Sequence, residues 1–195
     1  MLGTLKGHFK LSYRKVKKVS YSGNSEYNRV RRFLYAQKML ELYSQGQHVV
    51  NVDESWLPES DFSRKNWDKR GDSHSIPANP LGRKINMIAA VSSEGYVWLA
   101  LTQPNTDEDV MRVFLSKLAL IFTKQFGTEW RERIVLLLDG ASYHRSGETR
   151  TCIQHLQMKV VLSAPYSYAA APAELFFAHF KRGEFNPDRI PTGKL

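Results

Sequence analysis

The chain has 195 residues, 42% of them hydrophobic, and a formal net charge of +9. That length suits one substantial core and is short for two. With no apolar run near the roughly 18 residues of a membrane span and no secretory signal pattern, a soluble protein without a membrane partner is expected. The lone Cys152 excludes an internal disulfide and a Cys/His zinc spacing, and a half-buried place on a helix is expected for it.

Charge is unevenly placed. Residues 1 to 38 carry ten of the 28 basic side chains and one acid, Glu26, which leaves 18 bases against 18 acids in the remainder. A basic arm on a neutral body suits a polyanion such as nucleic acid, held through phosphate contacts that release counterions, and equally suits a solvated tail. The interleaved Phe9, Tyr13, Tyr21, Tyr27, Phe33 and Tyr35 favour an arm that docks.

In chain order, residues 1 to 25 read as a basic arm, with 26 to 195 as the folded domain. Ser25 suits an N-cap, and Tyr27, Val30, Phe33, Leu34 and Leu40 recur at helical spacing up to Gly46, predicting a helix of about four turns. Val49 to Val52 predicts a short strand ending at Asp53. Residues 54 to 84, with Pro58, Gly71, Pro77, Pro80 and Gly82, predict an irregular insertion. Ile85 to Val91 and Tyr96 to Leu101, around Ser92-Ser93-Glu94-Gly95, predict a hairpin. A capping box from Thr106 to Asp109 opens a long amphipathic helix on Val110, Phe114, Leu118 and Ile121, closed by Gly127. Ile134 to Leu138 is wholly apolar, which predicts a strand buried on both faces and therefore a sheet flanked by helices. A short helix from Glu148 to Leu156, a strand from Lys159 to Leu162 and a final helix opening at Pro172 complete an α/β layout.

Three acids fall at notable places in this layout. Asp53 and Asp139 follow apolar strands, and Glu174 lies in the first turn of the last helix. Singly, each has an ordinary use, as a turn residue or a partner of the helix dipole. Together they form a set that could hold two Mg²⁺ or Mn²⁺ ions, because hard ions select carboxylate oxygens and a pair of them can clamp both oxygens of an in-line displacement at phosphorus.

The segments Val52-Asp53-Glu54-Ser55, Leu138-Asp139-Gly140-Ala141-Ser142-Tyr143-His144, Ala164-Pro165-Tyr166-Ser167 and Pro172-Ala173-Glu174 resemble the catalytic core of mariner-superfamily DDE transposases. The 34 positions from 140 to 173 match the spacing of one branch, and Trp67 to Gly71 is similar to that family's Trp-containing insertion. The resemblance spans about residues 12 to 182. It implies an RNase H-like mixed sheet, catalytic and metal-binding roles for Asp53, Asp139 and Glu174, and a Mg²⁺-dependent strand transferase that acts as a homodimer on double-stranded DNA at transposon ends and target. It also implies a nuclear location in a eukaryote, cytoplasmic otherwise. Gly140 and Ala171 stand where the family usually has Asn. Ser12 to Val16 resembles the end of a helix-turn-helix region, so the specificity domain is expected to be missing from this chain.

Candidates for DNA contact are Arg14, Lys15, Lys17, Lys18, Arg31, Arg32, His144 and Lys181. Trp56 and Trp67 could stack on an unpaired base or pack the insertion on the core, and Lys65, Lys69, Arg70, Arg83 and Lys84 make that insertion basic. The alternatives are a domesticated or decayed copy serving as a non-catalytic DNA-binding or structural subunit, and a nuclease that cuts without joining.

Overall fold

The computed structural model describes residues 21–58, 84–103, 105–167 and 171–181. Most of the predicted arm and insertion therefore lies outside the described residues. A five-stranded mixed sheet carries the fold, in the order β3-β2-β1-β4-β5. Its strands are β1 (His48–Pro58), β2 (Lys84–Ser92), β3 (Val97–Thr102), β4 (Ile134–Leu138) and β5 (Lys159–Leu162). The first three form an antiparallel meander, and β4 and β5 add in parallel with β1. The helices are α1 (Glu26–Ser44), α2 (Glu108–Phe126), α3 (Trp130–Arg133), α4 (Gly147–His155) and α5 (Pro172–Phe180).

Alternation along the strands sorts two cores. Val50 and Val52 of β1, Ile88 and Ala90 of β2, and Ile134, Leu136 and Leu138 of β4 pack with Met111, Phe114, Leu115, Leu118 and Phe122 of α2. Met87 and Ala89, which point from β2 to the other face, pack with Ala173 and Phe177 of α5. All five residues of β4 are buried, as its unbroken apolar run requires. The cap of α2 is Asp107, whose carboxylate accepts the Val110 N–H, in place of the expected Thr106. Gly127 closes that helix at φ 73°, a left-handed conformation that glycine adopts without Cβ strain.

Two expectations need correction. Asp53 does not end its strand: β1 runs on to Pro58 because β2 continues to pair with it through Lys84. Helix α1 is also longer than expected, at 19 residues, and of its length only Leu42 is buried. Its periodic Tyr27, Val30, Phe33, Leu34 and Leu40 are 51 to 69% exposed, so helical spacing there marks a face that no described residue covers.

Candidate active site

The parallel ladder of β1 and β4 explains how two acids distant in sequence meet. The last pair is Asn51 with Leu137. Asp53 and Asp139 each lie two residues beyond it, in the same register, at the carboxyl end of β4 where ligands of open α/β sheets bind. Parity places Asp53, like Asn51, on the α5 face. The same Asn51 fixes the third acid. Its amide nitrogen donates to the Leu137 carbonyl at 3.2 Å and its oxygen accepts the Ala173 N–H at 3.0 Å. The first turn of α5, and with it Glu174, is thereby pinned to β1.

Electrostatics show that the acids share one field. Burial, reinforced by the charges of Glu54, Glu174 and Asp139, lifts the Asp53 carboxyl from 3.8 to about 7, against a hydrogen bond from the Glu54 N–H. Asp139 moves the other way: the hydrogen bond from His144 outweighs burial and holds its carboxyl below the usual range. Asp139 Oδ1 accepts the Ala141 N–H at 2.9 Å and faces His144 Nδ1 at 2.7 Å, while Asp53 Oδ1 accepts the Glu54 N–H at 2.8 Å. Among the described residues, Oδ2 of neither aspartate has a hydrogen bond. Glu174 is exposed.

The family described as DDE superfamily endonuclease matches residues 48–194, three quarters of the chain and all three acids. The chain belongs to that family. No curated protein sequence matches it. Among solved structures, the pre-cleavage Mos1 transpososome superposes with a TM-score of 0.70 at 19% identity, covering 93% of this chain and 56% of that one. The Mos1 mariner paired-end complex with Mg gives 0.69 at 20%, covering 92% and 56%. The catalytic domain of Mos1 mariner transposase gives 0.58 at 16%, covering 87% and 74%. The shared fold is the RNase H-like mixed sheet, and the chain spans little more than half the length of the first two proteins.

Does the site of this DDE domain suit divalent ions? Among the described residues, no three His, Cys, Asp or Glu side chains already stand at ligand distance. The donors are nevertheless the hard oxygens that Mg²⁺ and Mn²⁺ select, and a carboxyl lifted to about 7 by burial and by neighbouring acids gains from a cation. The set fits such ions in type and charge. Gly140 does not oppose this, since a side chain there would meet nothing within 4 Å.

His144 is not where a phosphate ligand should be. Its side chain is fully buried, with Nδ1 on Asp139 and Nε2 3.1 Å from Glu54 Oε1. Burial alone would push the imidazole down, but these two hydrogen bonds and charges raise it to about 9. Glu54 is completed by the Tyr143 hydroxyl, which donates to Oε2 at 2.8 Å. Sequence reasoning missed the roles of Asn51, Glu54 and Tyr143. A polar Asn inside Val49-Val50-Asn51-Val52 and a second acid beside Asp53 were the available signals.

Of the other candidates, Lys181 is exposed after α5. On α1, Arg31 lies over the Tyr27 ring at 5.5 Å, and the Arg32 guanidinium donates to the Gly23 carbonyl. Arg14, Lys15, Lys17, Lys18, Lys65, Trp67, Lys69, Arg70 and Arg83 lie outside the described residues. Trp56 is 44% exposed on β1, and Cys152 is half-buried on α4.

Proposed function

We propose that this domain is the catalytic part of a transposase that cuts double-stranded DNA at transposon ends and transfers the freed strand to a target. The observation that carries this reading is the adjacency of Asp53 and Asp139 on parallel strands, with Glu174 close enough to contribute to the upward shift of Asp53. Asp53, Asp139 and Glu174 would hold two Mg²⁺ or Mn²⁺ ions. Bound there, such ions supply Lewis-acid activation of a water or 3′-hydroxyl and neutralise charge at phosphorus.

The protein's own share is to present and orient. Asp139, held ionised by its His144 hydrogen bond, offers a fixed charged oxygen. Asp53, the more buried of the two aspartates, would supply a carboxylate to a cation once its proton is lost. The bases of residues 1 to 38, with Lys181 two turns along the helix from Glu174, would bind the phosphate backbone. The Mos1 relatives are described as paired-end complexes, with Mg in one and Mn in another, and that likeness supports a homodimer that brings two ends together with divalent ions. In a eukaryotic host the work lies in the nucleus.

Replacing Asp139 by Asn should lower Mg²⁺-dependent cleavage of end-sequence DNA by at least about 1,000-fold, the scale of losing an essential electrostatic group. Undiminished cleavage would reject the mechanism. Branched or inserted products distinguish a transferase from a hydrolysing nuclease, and the lack of any carboxylate-dependent Mn²⁺ binding in calorimetry would instead favour a non-catalytic subunit.

A further inference from the structure

We infer that His144, seated between Glu54 and Asp139 and backed by Tyr143, is a positioning residue that fixes the Asp139 carboxylate for divalent-ion binding. This rests on the metal-binding reading of the three acids.

Strand parity shows why such a device is needed. Asp53 shares the α5 face with Asn51, whereas Glu54, one residue on, turns to the α2 face. Tyr143 packs against the core on that α2 face, and its hydroxyl reaches Glu54 at 2.8 Å. Asp139 lies past the end of β4 with half of its side chain exposed, where the strand ladder no longer restrains it. It is approached from two sides: Asp53 from the α5 face, the His144–Glu54 pair from behind.

The backing pair is built to hold one geometry. His144 sits in a single 3₁₀ turn, Tyr143–Arg145, and its ring meets the Tyr143 ring edge-on at 4.6 Å. Nδ1 reaches Asp139 Oδ1 at 2.7 Å and Nε2 reaches Glu54 Oε1 at 3.1 Å. With both nitrogens engaged and the side chain wholly buried, the ring cannot turn without breaking two hydrogen bonds. The Ala141 N–H takes the same Asp139 oxygen at 2.9 Å. The carboxylate is thus anchored through Oδ1, and Oδ2 has no hydrogen bond among the described residues. Groups that orient metal ligands in this way change affinity without touching the metal.

Mn²⁺ titration of the full chain by calorimetry, with thermal melts in chelator as a folding control, tests the inference. His144→Leu, which removes both hydrogen bonds at similar bulk, should weaken Mn²⁺ binding by about 10- to 100-fold while a cooperative melt persists. His144→Asn, which keeps a donor near the Nδ1 position, should recover to within about tenfold of the parent, and Tyr143→Phe should weaken binding by at least about threefold. A merely structural histidine would lower the melting temperature and leave the Mn²⁺ affinity of the folded fraction unchanged. Unchanged or tighter binding in His144→Leu overturns the inference, tighter binding meaning that the ring serves only as a counter-charge. If that variant does not fold, Tyr143→Phe decides, and parental affinity there overturns it. Should the parent bind no Mn²⁺, or Asp139→Asn bind it as well as the parent, the metal reading itself falls and the positioning role with it.

Discussion

The two ends of the β1–β4 ladder are built on opposite principles. At the end where the strands begin, aromatic rings interlock: Trp130 meets Phe122 at 5.3 Å, Trp98 meets Phe122 at 5.0 Å, and Tyr96 meets Phe126 at 5.7 Å, all near edge-to-face. Trp98, Phe126 and Trp130 border a cavity of about 340 Å³ that also touches His48, Glu94 and Arg133. At the other end, the charges of Glu54, Asp139 and Glu174 act on Asp53, and one imidazole lies between Glu54 and Asp139. The first end gains from apolar burial and ring geometry. The second holds like charges together at a cost that a cation can relieve. One sheet therefore separates stability from chemistry by placing them about a strand's length apart.

The largest expected effect lies at the aromatic end. Trp130 is 1% exposed and donates its indole N–H to Thr123 at 2.9 Å, so Trp130→Ala should cost about 3–5 kcal/mol in urea unfolding. Mn²⁺ affinity of the folded variant should stay within about twofold of the parent, since additivity holds for distant sites. A large loss of affinity would break the separation of the two ends.

Asn51→Leu tests the joint at the acidic end. It leaves the Ala173 N–H without its acceptor, a cost of about 1–3 kcal/mol, and it frees the first turn of α5. Here, unlike at Trp130, stability and Mn²⁺ affinity should fall together, and an unchanged affinity would show that Glu174 is placed by the packing of Phe177 alone.

Asp53→Asn should act in the opposite direction. The folded carboxyl holds its proton to about 7 against an ordinary 3.8, so the folded state binds that proton more tightly than the unfolded chain. The resulting stabilisation is fully present below pH 3.8 and is lost as pH rises through about 7. Without divalent ions, the variant should therefore become the more stable protein by about 1–2 kcal/mol at pH 8, discounted from the full linkage value because the group is partly solvated. Urea unfolding at pH 4, 6 and 8 in chelator reads this, and parallel pH profiles of parent and variant would mean that the acids do not strain the fold.

The smallest effect is expected at the rim of the aromatic end. His48 Nδ1 lies 2.6 Å from Glu94 Oε1, with both side chains more than a third exposed. Glu94→Gln should change stability by less than about 1 kcal/mol. A greater loss would show that charge, as well as ring packing, holds that end.

Much of this was legible before the fold was known, and the exceptions share a cause. The unbroken Ile134–Leu138 run, the periodicity of α2 and the Ser92–Gly95 hairpin turn are local patterns, and all three elements form, although Phe122 and not the expected Ile121 completes the buried face of α2. The extent of β1 was not legible, because Glu54-Ser55-Trp56-Leu57-Pro58 has no apolar alternation and is extended by pairing with β2. The apolar positions of α1 predicted a buried face, yet spacing says only that residues share a side of a helix. Whether anything covers that side depends on the rest of the chain. The place of His144, a lesser candidate for DNA contact, was not legible for the same reason: its partners are five and 90 residues away.

By itself, the sequence determined which chemistry was available. It names three acids, sets the spacing between the last two and supplies the apolar strand that carries one of them to a sheet end, since residue type and periodicity are local properties. The tertiary structure alone decided how those acids are used. The register of β1 on β4 sets Asp53 beside Asp139, Asn51 ties the Glu174 helix to β1, and a buried imidazole restrains one carboxylate from behind. Each of these is a contact between segments far apart in the chain. Closing them costs chain entropy that only the cooperative burial of the whole core repays.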